Sequence, residues 1–514
     1  MATTLSGVGP VPVVMFVVAA DDPWMPQAAE HLAALDALGV EHGVLVVTRS
    51  DLADPGPALA RARAELDRTS LGALPAVAVS GRTGQGLDEL RRLLADAVTG
   101  TPRPAPDADV RLWVDRRFHV RGAGTVVTGT LPAGTVRVGD TLDAGGSSVR
   151  VRGLEALGRP VVEVSGVARV ALDLAGQVPE QVGRGGTLLT PGAWEHTDVL
   201  DVRVRGDGLP PERPMLHVGA TFLEAHARPL ADDLVRLRLQ RPLPLRIGDR
   251  ALLRDPGSRA LWGVTVLDPA PPSLHRRGAA AARAAALAGA DGSLADEVRR
   301  RGVVRRTWLA RLGAVGSRLP EGSVTAGDWA VSPERTQSLR GELAEAVHKA
   351  STPFEPGLTL AAAARVLRLG SPDLVAALVE PPLRLRGGRV LPPDDGLPPE
   401  LARALAGLSD DLREQPFAAP DAGRLARLGL DRAAIAALAR GGHVLRIGDT
   451  VLLPGADDEA VRRLRELPEP FTTSAARQAL GTTRRVVLPL LAHLDRTGRT
   501  VRLPDDTRRV RPGM

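Results

Sequence analysis

The chain has 514 residues, enough for three or four domains; 44% are hydrophobic and 25% charged, and 66 Lys and Arg face 60 Asp and Glu for a net charge of +6. There is no Cys, no Tyr and a single Lys, Lys349, so disulfides, Cys-based zinc sites and Cys nucleophiles are excluded. A P-loop is excluded too, because Lys349 sits in Val-His-Lys-Ala and a P-loop needs Gly-Lys-Ser/Thr to neutralise phosphate charge.

The mild positive charge, carried almost wholly by Arg, suits a polyanionic partner. The preference for Arg over Lys, alongside abundant Ala, Gly and Pro, reads first as coding bias. Val11 to Ala20 is apolar but ends at Asp21-Asp22, too short for a bilayer. It lacks a basic flank, so no signal peptide is read there and a cytoplasmic location is expected.

Residues 1–100 alternate apolar runs with Ala/Leu/Glu-rich stretches. Val13 to Val18, Val44 to Val47 and Ala76 to Val79 read as buried strands; Gln27 to Leu38, Pro57 to Leu66 and Gln85 to Val98 read as helices. That order predicts a parallel α/β sheet. Three strands leave an open edge, a hint that part of the domain is missing. The joint Thr101 to Pro106 ends it. Beyond, the period becomes two: Val110, Leu112 and Val114 alternate with polar residues, as do Val235, Leu237 and Leu239. Two antiparallel β modules are predicted, roughly 107–193 and 196–270.

From about 273 the chain turns helical and repeats. Similar strand-and-proline endings fall at Trp329 to Pro333, Arg389 to Pro392, Val451 to Pro454 and Arg509 to Pro512. Pro-Phe pairs open the later units at 353–354, 416–417 and 470–471. A period of about 60 residues, with helices followed by a turn and a short strand, suggests tandem winged helices.

Three places can carry chemistry. The second strand ends in Thr48-Arg49-Ser50-Asp51, which puts a carboxylate at the C-terminal edge of a parallel sheet, where α/β domains bind ligands. A fixed carboxylate accepts from guanine N1 and N2, which adenine cannot offer. The third strand ends in Ser80-Gly81-Arg82, able to hold the base from the other side. The plainer reading is that Asp51 caps the next segment. In the β modules, Asp115-Arg116-Arg117-Phe118-His119 ends a strand and Arg169 lies on another; the plainer reading is outward residues on alternating strands. In the last unit, Thr482 is expected to cap a helix whose first turn carries Arg484 and Arg485 and whose apolar face is Val487, Leu490, Leu491 and Leu494. Pro489 should bend it. The wing adds Arg499, Arg502, Arg508 and Arg509, an arrangement suited to phosphates and bases, against the alternative of a solvated basic surface.

The run Ala19 to Gln27, followed by Glu30-His31, Thr48 to Asp51 and Ser80 to Arg82, resembles the second half of a translational GTPase G domain. The run Gly122 to Thr130 is similar to domain II of elongation factor Tu relatives. With the winged-helix tail, the whole chain resembles the bacterial selenocysteine-specific elongation factors.

The resemblance implies a multidomain α/β, β and α protein. Its parts are a truncated G domain of the P-loop type (1–103), two antiparallel β-barrels (107–193 and 196–270) and four tandem winged-helix modules (273–335, 336–395, 398–455 and 459–514). Thr48, Arg49, Asp51, Ser80, Gly81 and Arg82 would contact guanine, with Arg49 where relatives carry Lys and Ser80-Gly81-Arg82 an imperfect match. Arg116, His119 and Arg169, with Asp115 orienting an Arg, would line a cationic pocket for the selenol, which is anionic near neutrality. The resemblance further implies that Thr482, Arg484, Arg485, Arg499, Arg502, Arg508 and Arg509 grip an mRNA hairpin beside a UGA codon.

GTP, selenocysteyl-tRNA and the ribosome are the implied ligand and partners, with no membrane and a monomeric state. Mg²⁺ is expected for a full family member, but its ligands, the P-loop and the switch with its water-positioning His are absent around Leu5 to Pro10. No catalytic or metal residue is therefore assigned. A misassigned start is the favoured explanation. The alternative is an RNA- or tRNA-binding remnant without GTPase activity.

Overall fold

Val44, Leu45, Val46 and Val47 are each at most 1% exposed, because the strand they form is covered on both faces. The computed structural model describes residues 12–22, 24–120, 124–176, 178–351, 357–393, 397 and 399–511. Leu5 to Pro10, Pro23, Gly122-Ala123, Pro353-Phe354 and Pro512 lie outside the described residues. The chain divides into two units, 1–323 with 328–332, and 324–327 with 333–514.

The first unit opens with β1 (Val13–Ala19), α1 (Pro26–Ala37), β2 (His42–Thr48), α2 (Pro55–Leu66), β3 (Ala76–Ala78) and α3 (Leu87–Thr99). The strands are parallel in the order β1-β2-β3. Pro55 opens α2, and Asp54 caps it by accepting from the Gly56 N–H at 3.0 Å. Leu87, Leu90, Leu93, Leu94 and Ala97 of α3 cover one sheet face, against Val44, Val46, Val77 and Val79. Leu32, Leu35, Ala62 and Leu66 of α1 and α2 cover the other, against Val14, Phe16 and Leu45. Met15 and Val17 of β1 are 51% and 46% exposed.

Two closed six-stranded antiparallel barrels follow. Barrel II uses β4 (Arg111–Val120), β5 (Gly124–Leu131), β7 (Thr141–Ala144), β8 (Ser147–Ala156), β11 (Ala168–Ala175) and β12 (Thr187–Leu189), closed by pairing of β11 with β8. The short strands β6 (Thr135–Arg137), β9 (Arg159–Pro160) and β10 (Glu163–Ser165) are appended to it. Alternate residues such as Leu112, Val127, Leu131, Val151, Val170 and Leu172 fill its interior. Barrel III closes in the order β13 (Thr197–Arg205), β16 (Leu234–Leu243), β15 (Thr221–Pro229), β14 (Met215–Val218), β17 (Arg250–Arg254), β18 (Leu261–Asp268).

Charged joints fix the pieces of this unit. Arg111 and Asp249, each 15% exposed, pair between the barrels, and the Arg246 guanidinium lies 3.6 Å from the ring centre of Trp194. Arg250 donates to Leu38 O at 2.8 Å and Gly39 O at 2.6 Å, which sets its positive charge at the negative end of α1. Beyond barrel III come α4 (Ala279–Leu287), α5 (Leu294–Arg301), β19 (Val303–Arg305), α6 (Arg306–Arg311) and β21 (Trp329–Val331). They are tied to the barrel by buried ions. Asp201 accepts from Arg236 and Arg283, and Asp268 from Arg301 at 2.7 Å and from Arg283. Burial opposes the charged form of Asp268, but Arg301 and Arg283 outweigh it and hold the carboxyl below the usual range.

The second unit repeats helices followed by a hairpin. Its elements are β20 (Val324–Ala326), α7 (Pro333–Ala350), β22 (Leu358–Thr359), α8 (Leu360–Val366), α9 (Pro372–Leu378) and strands β23 (Arg384–Arg386) and β24 (Arg389–Leu391); then α10 (Pro399–Arg413), α11 (Ala422–Arg427), α12 (Arg432–Arg440), β25 (Leu445–Ile447) and β26 (Thr450–Leu452); then α13 (Ala456–Leu464), α14 (Thr473–Ala479), α15 (Arg484–Arg496), β27 (Thr500–Arg502) and β28 (Arg508–Val510). The last two groups share one apolar core that runs from Leu401 through Phe417, Leu438, Leu464 and Phe471 to Val510. Among the described residues no helix is long and apolar enough to cross a membrane.

Candidate functional site

Parallel strands β2 and β3 end side by side, so the loops after them share one edge of the sheet. Thr48 donates its hydroxyl to Val18 O at 3.2 Å, and the Ser50 N–H donates to Val79 O at 3.2 Å, tying the three strand ends together. Arg49 takes a left-handed backbone, φ 58°, and its guanidinium reaches both Asp21 carboxylate oxygens at 3.1 Å. Asp51 is held below the ordinary carboxylate range, first by a hydrogen bond from Ser80 and also by the positive charge of Arg82. Ser80 is fully buried, and its hydroxyl accepts from the Thr83 N–H at 3.1 Å. The space around Gly81 is open, so a side chain there would meet nothing within 4 Å.

Asp51, Ser80 and Arg82 thus meet at one edge, with an ionised carboxylate facing solvent. This fits a purine bearing ring N–H and amino donors. The fit ends at the base. The sequence carries no Gly-Lys-Ser/Thr loop, and among the described residues no group of three or more His, Asp or Glu gathers to hold a metal.

On barrel II, β4 pairs with β5 after a register shift between Val114 and Arg116. Arg116 stands opposite Thr128 and Phe118 opposite Val126; on the other side Ala171 stands opposite Thr128 and Arg169 opposite Thr130. Directly paired residues share a sheet face. Arg116, Phe118, Thr128 and Arg169 therefore lie together on the outer face, while Val127 and Leu131 point inward. Asp115 is brought to the same face by the bulge. It accepts from the Thr128 hydroxyl at 2.6 Å and from Arg169 through both oxygens, so it fixes that guanidinium. His119 alternates to the opposite face with Arg117, which is bound to the carbonyls of Val178 and Pro179. The described positions bring Asp115, Arg116 and Arg169 together and leave His119 apart. Phe118, 43% exposed beside Arg116, joins this face through the strand register, which no residue type in the sequence marks.

The tail requires a correction. Thr482 does not cap α15: the N-cap is Thr483, with no side-chain cap bond, and the Thr482 hydroxyl is buried, donating to Phe417 O. Arg485 is exposed, but its guanidinium is bound back to the preceding module, donating to Pro420 O at 3.2 Å and to Ala419 O. Arg508 is 7% exposed and bound to Asp495 at 3.1 Å, so it anchors the wing. Arg499 pairs with Asp457 and Asp458, and Arg502 with Asp506. Arg484 and Arg509 remain exposed, at the start of α15 and on the wing. The sequence pattern could not separate these roles: the partners of Thr482 and Arg485 lie in the preceding module, and those of Arg499 and Arg508 are reached only through the tertiary packing of the last one.

Comparison with known proteins follows the same lines. Residues 462–509 match the family described as "Elongation factor SelB, winged helix". Over 286 residues the chain is 34% identical to the selenocysteine-specific elongation factor of Escherichia coli, covering 54% of this chain and 46% of that protein. It is 30% identical over 271 residues to the one from Desulfomicrobium baculatum, covering 49% of this chain and 42% of that protein. The chain thus spans less than half the length of these curated relatives. It is 35% identical to elongation factor Tu 2 of Streptomyces avermitilis over 193 residues, 35% of this chain and 50% of that one. A crystal structure of a bacterial selenocysteine-specific elongation factor superposes with a TM-score of 0.74 at 22% identity, covering 99% of this chain and 88% of that chain, a likeness of fold. By sequence, with a fold to match, the chain is a relative of the selenocysteine-specific elongation factors.

Proposed function

We propose that this chain acts in selenocysteine incorporation. In this reading it holds selenocysteyl-tRNA on barrel II, reads guanine nucleotide with the loops after β2 and β3, and grips an mRNA hairpin with its last module. Together these acts deliver the tRNA to a cytoplasmic ribosome at UGA. The observation that carries the reading is the pair Arg116 and Arg169 on one face of barrel II, with Asp115 fixing Arg169. A selenolate needs a cationic site, and Arg116 and Arg169 bring two guanidinium charges to the face around Thr128 against the one carboxylate, Asp115, that holds Arg169 in place. In the last module, α15 begins without a side-chain cap. The N–H groups ahead of Val486, which itself donates to Thr483 O, and Arg484 are then available to a phosphate, and exposed Arg509 on the wing adds a further cation.

The test is binding of one tRNA body carrying either selenocysteine or serine. A preference for selenocysteine that Arg169→Ala abolishes supports the reading. Equal binding of both would contradict it.

A second reading, an RNA- or tRNA-binding protein without GTPase activity, is favoured by the lack of a Gly-Lys-Ser/Thr loop in a chain with one Lys. Titration with a fluorescent GDP analogue separates the two. Saturable micromolar binding favours the first reading, and none favours the second. GTP and Mg²⁺ belong to the first only.

A further inference from the structure

On barrel III, His226 stands directly opposite Arg238, and Arg228 directly opposite Arg236, on the outer face of the β15–β16 pair. Like charges set opposite one another on a sheet cost stability. Arg236 is neutralised by Asp201, at 2.7 Å and 3.0 Å. Arg228 and Arg238 are exposed, and among the described residues no carboxylate is paired with either. His226 has Glu212 at 3.6 Å. The chain leaving the barrel, Pro271 to His275, folds back over this face and encloses a groove of about 370 Å³. Its lining contains no acidic residue. Val199, Pro271, Pro272 and Leu274 supply apolar surface, and Arg228, Arg238, His226 and His275 supply donors and positive charge. Exposed Arg276 and Arg277 follow at once in the chain.

This combination selects a ligand class. Two unpaired guanidinium groups match phosphate oxygens, which they can hold in bidentate fashion. Apolar walls ending in an imidazole suit the flat face of a base or the carbon face of a sugar. The volume lies within the usual range for small-molecule sites, about 300–1,000 Å³. A neutral sugar or a cation would leave the arginines opposed and unsatisfied. We propose that this groove is a nucleotide-phosphate site, built from elements other than the guanine loops. Arg228 and Arg238 hold the phosphate, and Pro271, Pro272 and Leu274 carry the attached sugar or base. The phosphate can belong to a free nucleotide or to one unit of an RNA strand, since the chemistry at the two arginines is the same.

The test uses the full chain, adenosine 5′-monophosphate and an unstructured RNA 12-mer. Adenine lacks the donors that Asp51 would accept, so the guanine loops do not report. The variant carries Arg228→Ala and Arg238→Ala together. It removes opposed charges from an exposed face, and its far-UV circular dichroism and melting temperature should match the parent's. If the source is a free nucleotide, adenosine monophosphate titrates saturably, is displaced by inorganic phosphate, and binds at least tenfold more weakly to the variant. If the source is an RNA strand, the monophosphate is silent. The salt dependence of 12-mer binding then falls in the variant by about two phosphate contacts. Identical behaviour of parent and variant toward both probes would overturn the proposal, as would a parent that binds neither.

Discussion

At the scale of single residues, the decisive groups are those whose partners fix them. Arg169 is held by Asp115, and Asp115 by Thr128, so each guanidinium hydrogen bond is preformed. Asp115→Asn keeps the shape but loses the charge that fixes Arg169. It should weaken selenocysteyl-tRNA binding by several-fold, less than Arg169→Ala, which removes a charge-assisted contact worth about 1.5–3 kcal/mol. Filter binding with both variants checks this order. Asp51 makes a different prediction. Its carboxyl lies below the ordinary range because Ser80 donates to it and Arg82 stands near. Any guanine affinity should therefore stay flat as pH falls from 7 to 5, and Asp51→Asn should lower it at least tenfold. Measuring GDP-analogue affinity across that pH window tests both statements.

Local chemistry of this kind was legible in the sequence. Thr48 to Asp51 and Ser80 to Arg82 follow continuous apolar runs, so strand and loop are marked in the same few residues. The partners were not legible. Asp21 meets Arg49 only because β1 and β2 lie side by side. His119 leaves the face of Arg116 through simple alternation, whereas Asp115 joins that face through a register shift that no residue type announces.

At the scale of elements, α1 against barrel III is set by backbone contact. An added Cβ at Gly263 would lie 2.2 Å from Ala37 O, and the Ala37 carbonyl cannot retreat without moving α1. Gly263→Ala should destabilise the first unit by about 1–3 kcal/mol, the usual cost of overpacking. Thermal unfolding of the variant checks it; an unchanged melting temperature would refute the close contact. The joint between barrel III and α4–α5 should respond to acid. Asp268 has its pKa lowered in the fold, so its stabilising contribution is complete above the unfolded value near 3.9. The contribution disappears as pH falls through the lower folded value. The parent should therefore lose stability below about pH 4 more steeply than Asp268→Asn, which has already lost that pairing. Denaturant titrations at pH 3 and pH 6 compare the two.

At the scale of the whole molecule, the proline spacing suggests units of helices, a turn and a short strand, and the tail alternates helices with short paired strands. The spacing suggested separable modules. The last two instead share a core through Phe417, Leu464, Phe471 and Val486, with Thr482 and Arg485 closing the seam to 417–420. These contacts join residues about 65 positions apart, a distance over which periodicity carries no information. Residues 399–511 should accordingly unfold in one transition. Thr482→Val leaves the Phe417 carbonyl without its donor and should lower stability by about 1–3 kcal/mol.

The proposed recognition of an anionic aminoacyl side chain by Arg116 and Arg169 on barrel II stands or falls on the affinity of the full chain for one tRNA charged with selenocysteine and, separately, with serine, at pH 7.5. At least a tenfold preference for selenocysteine, lost in Arg169→Ala, is the predicted result. Equal affinity for the two charged forms, with or without Arg169, would contradict it.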